Sequence, residues 1–338
     1  MKKYLSIDDS NVFKGLAIML MLWHHIFFQK QAYFDEFLFL SYDVIEYTRV
    51  MAKLCVSIFV FVSGYGLAVQ AEKHGGIGNL KEYYIHRFSR LYFNYWFIFL
   101  IFVPITVLYF HRTLAMAYGA NIIQSLFLDF TGLIYCFGGT SYNPTWWFYS
   151  CIIILYLLFP FLYKLSRKSV EYTLLLCVCI KYLPFNSLPF DFLNPIENYI
   201  YVFIAGILFV NHDLYAKRFL SHSKEVFLWT ILLVVMLIER NSVGQLADCV
   251  ITCCLVKLYG LLDVNDWFKK IMGFLGKHSM NIFLIHTFIF EFWFSPQLYS
   301  LRNPILIFIV LLLVCLVISI AIEKTKDIIR FNQLVNRI

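Results

Sequence analysis

Three imidazoles stand inside apolar sequence. His24 and His25 close the run FKGLAIMLMLWHH at residues 13–25, and His286 closes FLGKHSMNIFLIH at residues 274–286. Histidine is the side chain best matched to moving protons near neutral pH, and an ionisable group at membrane depth is expensive enough to need a reason. At 3.6 residues per turn, position i+11 returns to within about 20° of position i. Lys14 and His25 are therefore expected on one helix face, about 16 Å apart along the axis, with His24 about 80° away. That relation makes His25 the candidate general base and Lys14 a cation on its face. His24 reads as a supporting residue that packs or hydrogen-bonds at a helix interface. Ser279, Phe283 and His286 follow at i, i+4 and i+7, again one face, so Ser279 and His286 are candidates for orienting an acceptor. The ordinary alternatives are a histidine at headgroup level and a satisfied bond between helices.

Three other constellations carry polar chemistry on an apolar background. IHRFSRLYFNYW, residues 85–96, puts Arg87 and Arg90 one turn apart among aromatic rings. Two guanidiniums at that spacing make a phosphate clamp, although topological anchoring explains them equally well. FVSGYGL, residues 61–67, surrounds Ser63 and Tyr65 with Gly64 and Gly66, which let another helix or a ligand approach the backbone. NPTWWFYS, residues 143–150, places Trp146 and Trp147 at the expected outer mouth of a helix, where indoles form an interfacial belt and offer flat faces to sugar rings.

The elements that position these residues follow from composition. With 61% hydrophobic and 14% charged residues and a mean hydropathy of +0.71, the 338 residues do not form an ordinary water-soluble domain. The expected class is an all-α integral membrane protein, a single polytopic domain over 1–338. Ten apolar windows fit spans, at about 11–29, 50–70, 91–110, 146–163, 170–183, 198–211, 225–240, 243–262, 279–297 and 303–322. Residues 114–137, interrupted by Asn121, Asp129 and glycines, read as re-entrant or surface-lying. No cleaved signal peptide is expected. The nine cysteines lie in or beside apolar segments without paired CxxC spacing, so they read as core residues, and no metal is expected.

Loop charge predicts orientation. If both termini lie on one side, the loops of that side hold nineteen basic residues, including Lys2, Lys3, Arg87, Arg90, Lys269, Lys270, Lys277, Lys326 and Arg337. The opposite side holds seven: Lys30, Arg49, Lys53, Arg112, Lys181, Arg240 and Arg302; Lys14 and Lys257 are left within spans. The asymmetry predicts cytoplasmic termini. Basic residues spread over six short segments make no nucleic-acid patch, so the net charge of +7 follows from topology.

The order of these features resembles the membrane-bound acyltransferase-3 family over nearly the whole chain. It runs from a basic residue ten positions before a histidine (Lys14, His25), through an SGY segment, R-x-x-R (Arg87, Arg90) and a WF pair before a helix ending in Pro160, to G-x-x-S (Gly276, Ser279) with a histidine seven residues on (His286). The resemblance implies about ten helices and transfer of an acyl group, commonly acetyl, from acyl-CoA to a hydroxyl of a cell-surface or exported carbohydrate. It implies no permanently bound cofactor; acyl-CoA is the donor substrate, a carbohydrate or glycolipid is the acceptor, and the location is the cell membrane. Lys14 stands where arginine is usual, keeping charge but losing the bidentate fork. Phe93 replaces a frequent proline and Phe283 a frequent tyrosine. Some relatives carry a further esterase-like domain; none is expected here, where the sequence ends at Ile338.

On residue types alone, His25 takes the hydroxyl proton, Lys14, Arg87 and Arg90 meet the donor's phosphates, and Trp146 and Trp147 line the acceptor's approach. Two rivals stay open at this point. A secondary transporter of a small polar solute would use Asp129, Asp248 and Glu291 as a proton path, but the halves show no internal repeat. A non-catalytic scaffold or sensor of the same fold is the other.

Overall fold

A computed structural model describes residues 3–28, 30–182 and 196–331. Of the basic residues used for orientation, Lys2, Arg337 and the side chain of Lys181 lie outside the described residues, as does the end of the window at 183. The described residues are all-helical: α1 (Ile7–Ile26), α2 (Tyr42–Met51), α3 (Leu54–Lys73), α4 (Leu80–Tyr109), α5 (Leu114–Tyr118), α6 (Ile122–Phe130), α7 (Trp147–Lys168), α8 (Val170–Tyr182), α9 (Ile200–Asn211), α10 (His222–Ile238), α11 (Arg240–Val243), α12 (Gln245–Leu261), α13 (Asp266–Lys277), α14 (Ser279–Thr287), α15 (Ser295–Tyr299) and α16 (Pro304–Ile328). No strand occurs among them; one isolated antiparallel bridge joins Phe37 and Leu40.

Among the described residues, four helical stretches are long and apolar enough to cross a bilayer: Tyr42–Lys73, Leu80–Tyr109, Pro144–Lys168 and Pro304–Ile328. Each of the ten expected windows holds helix, but five of these helices, α8, α9, α10, α12 and α14, are shorter than the roughly 20 residues a span needs. Residues 114–137 form α5, α6 and the 3-10 turn Ile134–Phe137, none of spanning length. The window 279–297 is broken as well: α14 passes into the π-helix Phe288–Trp293 and then α15. The amphipathic helix α13 falls outside every expected window.

The chain divides into two compact units. The first comprises Met1–Gly15, Val56–Leu80 and Cys151–Gly276. Glycines set its helix crossings: a Cβ on Gly64 would overlap the Phe203 carbonyl, and one on Gly206 the Phe61 carbonyl, so α3 and α9 touch backbone to backbone. A Cβ on Gly15 would strike the Met272 carbonyl and one on Gly276 the Asn11 carbonyl, which seats α13 on the first turns of α1. Two buried cations here are held by acceptors. Arg240 forks onto Asp248, with Nη2 2.9 Å from Oδ2, and the fully buried Lys257 ammonium donates to the carbonyls of Leu214 (3.0 Å), Tyr215 and Lys217.

The second unit comprises Leu16–Cys55, Lys81–Ser150 and Lys277–Ile338. Its segment 114–142 is organised by one carboxylate. Buried Asp129 accepts from Ser141 Oγ (2.6 Å), Tyr118 OH (2.7 Å), the Tyr142 N–H (2.7 Å) and Tyr95 OH (3.2 Å). Tyr92 OH and Trp96 Nε1 donate to the carbonyls of Thr131 and Phe130, each at 2.8 Å, and latch the segment to α4. Buried Lys326 ties α16 to α4 and α14, donating to Asn94 Oδ1 (2.8 Å), Asn281 Oδ1 (3.1 Å) and Glu323 Oε1 (2.8 Å). Outside the apolar helices, the Arg302 guanidinium hydrogen-bonds Asp35 and holds that carboxyl below its ordinary range.

Candidate active site

The second unit gathers the three histidines singled out in apolar sequence, His24, His25 and His286. The rings of His24 and His25 lie 5.1 Å apart between centroids, and His25 lies the same distance from His286. Neighbours on α1 must diverge by about 100°, so α1 presents one imidazole to α2 and the next to α14. The end of α1 is fixed on two sides: Trp23 Nε1 donates to Thr48 Oγ1 at 3.0 Å, and Tyr299 OH to the Ile26 carbonyl at 2.6 Å.

Hydrogen bonds distinguish the three rings. His24 Nδ1 sits 2.9 Å from the Arg49 carbonyl, and Arg49 is itself held by Glu46. His286 is fully buried, with Nδ1 2.8 Å from the Phe283 carbonyl and 3.2 Å from that of Ile282. A carbonyl only accepts, so His286 Nδ1, facing two carbonyls, carries the hydrogen and its Nε2 keeps a lone pair, whereas His24 Nδ1 also has the Arg49 guanidinium Nη1 at 3.4 Å. His25 is half-buried, and among the described residues neither of its ring nitrogens has a hydrogen-bond partner. Of the three, His25 is the imidazole with nitrogens open to a substrate.

A polar chain missed by the sequence reading continues behind His286. Thr287 Oγ1 lies 3.4 Å from His286 Nε2 and 3.2 Å from Thr145 Oγ1, which donates to Asn143 Oδ1 at 2.8 Å. The NPTWW turn therefore serves the histidine cluster through Asn143 and Thr145. Its tryptophans behave differently from the expectation of a rim. Pro144 opens a 3-10 turn that swings Trp146 inward, where it is 1% exposed, donates to the Leu284 carbonyl at 3.2 Å and packs against Tyr95, Phe99 and Phe288. Trp146 is a core residue with no face left for a sugar. Trp147 remains half-exposed.

The other expected site residues are distributed as follows. Arg87 and Arg90 lie on the first turns of α4 in the second unit, Arg87 half-buried and Arg90 exposed. Ser279 is buried at the start of α14, beside Asn281, which Lys326 holds. Lys14, Ser63 and Tyr65 belong to the first unit. Tyr65 is buried and its hydroxyl accepts from the Leu5 N–H at 3.0 Å, while Gly64 forms the crossing with α9; the SGY segment therefore packs helices there. α1 runs unbroken from Lys14 to His25. The carboxylates considered for a proton path are all engaged: Asp129 by four donors, Asp248 by Arg240, and Glu291 by Lys30 at 3.1 Å. No cluster of three metal-binding side chains occurs among the described residues.

The described residues are all-helical, four of their helical stretches are long and apolar enough to cross a membrane, and three histidine rings stand together in the second unit. The family model for an acyltransferase domain, the acyltransferase-3 family, matches residues 7–324, so the chain belongs to that family. No curated protein and no solved structure matches it significantly.

Proposed function

We propose that this protein moves an acyl group, acetyl being the simplest, from acyl-CoA to a hydroxyl of a cell-surface or exported carbohydrate. The observation that carries the reading is the open imidazole of His25, in ring contact with buried His286, inside a chain of an acyltransferase family. In this reading His25 removes the acceptor's hydroxyl proton as the oxygen attacks the thioester carbonyl; the carbon–sulfur bond then breaks, and the proton passes on to the CoA thiolate. The imidazolium formed midway faces the ring of His286, whose Nε2 lone pair can stabilise it. Arg87 and Arg90 meet the donor's phosphates, Lys14 is a cation on the helix that ends in His25, and Trp147 stands on the acceptor's approach.

The donor is made in the cytoplasm, so the arginine turn must face it. We assign both termini and the loop before α4 to the cytoplasm on the nineteen-to-seven asymmetry of basic residues, with about ten crossings of the cell membrane. The short helices then cross by pairing end to end within protein or where the bilayer thins around them. Mass spectrometry of surface glycans from cells with and without the protein tests the reading. Loss of an acyl ester from a defined sugar supports it; identical glycans in both would sink it.

A further inference from the structure

The helix α13 was not an expected element, and its surface is divided in an unusual way. At 100° per residue, Leu275, Gly276 and Met272 share the side that packs on the first turns of α1. Trp267, Ile271 and Phe274 fall within about 60° of one another on an adjoining strip. Trp267 is 71% exposed and Phe274 46%. Next to that strip, about 20° apart, stand Lys270 and Lys277, both exposed and, among the described residues, in no ion pair. Lys269 lies on the far side and is paired with Asp266 at 3.4 Å. The helix thus has one face on protein, one exposed apolar face and one cationic edge.

We propose that α13 lies in the plane of the membrane surface and selects anionic phospholipid headgroups. The apolar strip enters the acyl boundary while Lys270 and Lys277 extend along it to the phosphates, as in interfacial helices. Charge complementarity fixes the occupant. Two uncompensated ammonium groups beside an apolar strip suit an anionic bilayer better than a zwitterionic one. Because the glycine crossings leave α13 touching the backbone of α1 at Asn11 and Gly15, lipid docking also fixes the depth of the α1 turn that carries Lys14. This inference rests on the chain being a membrane protein and does not depend on the acyl-transfer reading or on sidedness.

The test uses the full chain in vesicles whose two leaflets have one composition. A fluorophore is attached at Trp267→Cys, with the nine native cysteines replaced. Brominated phosphatidylglycerol, a minor component in phosphatidylcholine, should quench the label more than brominated phosphatidylcholine at equal mole fraction. Lys270→Gln and Lys277→Gln should each lower that preference by up to about fivefold, and high salt should erase most of it. Native mass spectrometry of the unlabelled protein gives a second readout, fewer phosphatidylglycerol molecules retained by the double glutamine variant. Iodide quenching from water with no quenching by either lipid overturns the proposal, as does equal quenching by both. A double variant that keeps its lipid preference but shows a raised KM for acyl-CoA also overturns it, and assigns the lysines to the donor.

Discussion

Asp129 separates a structural carboxylate from a working one. Its Oδ2 accepts from Tyr118 OH and the Tyr142 N–H, its Oδ1 from Ser141 and Tyr95. The Tyr142 N–H cannot reverse, so in Asp129→Asn the amide oxygen must take the Oδ2 position and its NH2 must face two hydroxyls. Both hydroxyls can turn to accept, Tyr95 at the loss of the 2.8 Å bond it also gives the Asp129 carbonyl. The asparagine variant therefore loses mainly charge assistance, about 1 to 3 kcal/mol. Asp129→Ala strands Ser141, Tyr118 and the Tyr142 N–H in a buried place, Tyr95 keeping its bond to the residue-129 carbonyl, about 3 to 5 kcal/mol. At about 2 to 4 °C per kcal/mol for a unit of this size, alanine should lower the thermal midpoint by about 6 to 20 °C and asparagine by clearly less. Thermal unfolding in detergent, followed by thiol reactivity of the buried cysteines, reads this directly. If Asp129→Ala unfolds at the wild-type temperature yet is inactive, the carboxylate does chemistry and the hub account is wrong.

Other consequences are as specific. Arg87→Ala and Arg90→Ala should each raise the KM for acyl-CoA, with a loss of about 1.5 to 3 kcal/mol in kcat/KM and partial rescue by lysine; unchanged donor affinity with lower expression would make them anchors. Lys326→Met removes a buried donor from Asn94, Asn281 and Glu323 and should lower stability by about 1 to 3 kcal/mol, seen as a lower thermal midpoint, whereas a neutral outcome would show that the cluster holds nothing together. A membrane-impermeant thiol reagent, applied to a cysteine-free background, should label a cysteine introduced at position 40 and spare one at position 78; the reverse pattern inverts the proposed sidedness.

Much of the fold was readable because bilayer burial writes itself into composition. The apolar windows located helix in every case, and the helical i+11 relation placed Lys14 and His25 on one unbroken element. The failures have physical causes. Length of apolar run does not report where a helix breaks: the π-helix after His286 and the Asp129-centred turns carry the same apolar residues as a straight span. Counting basic residues ignores tertiary pairing, and Lys326, Arg240 and Arg49, counted as loop charges, are buried in helices with partners. Trp146 looked interfacial because a tryptophan at a helix entrance usually is; the 3-10 turn at Pro144 decided otherwise. The link from Asn143 and Thr145 through Thr287 to His286 was not legible because it joins residues about 140 positions apart. The amphipathic α13 was missed because its apolar strip is too short for a span and too interrupted for a hydropathy window.

The central claim is that His25 is the base of an acyl transfer. The direct measurement is single-turnover acetyl transfer from labelled acetyl-CoA by purified, reconstituted protein carrying His25→Ala or His24→Ala, with donor binding and thermal midpoint measured on the same samples. The account predicts that His25→Ala keeps fold and donor binding and loses transfer by about 10² to 10⁴, while His24→Ala, whose Nδ1 is engaged by the Arg49 carbonyl and guanidinium, loses far less. Transfer by His25→Ala at near the wild-type rate would contradict it, as would equal impairment of both variants with equally lowered midpoints.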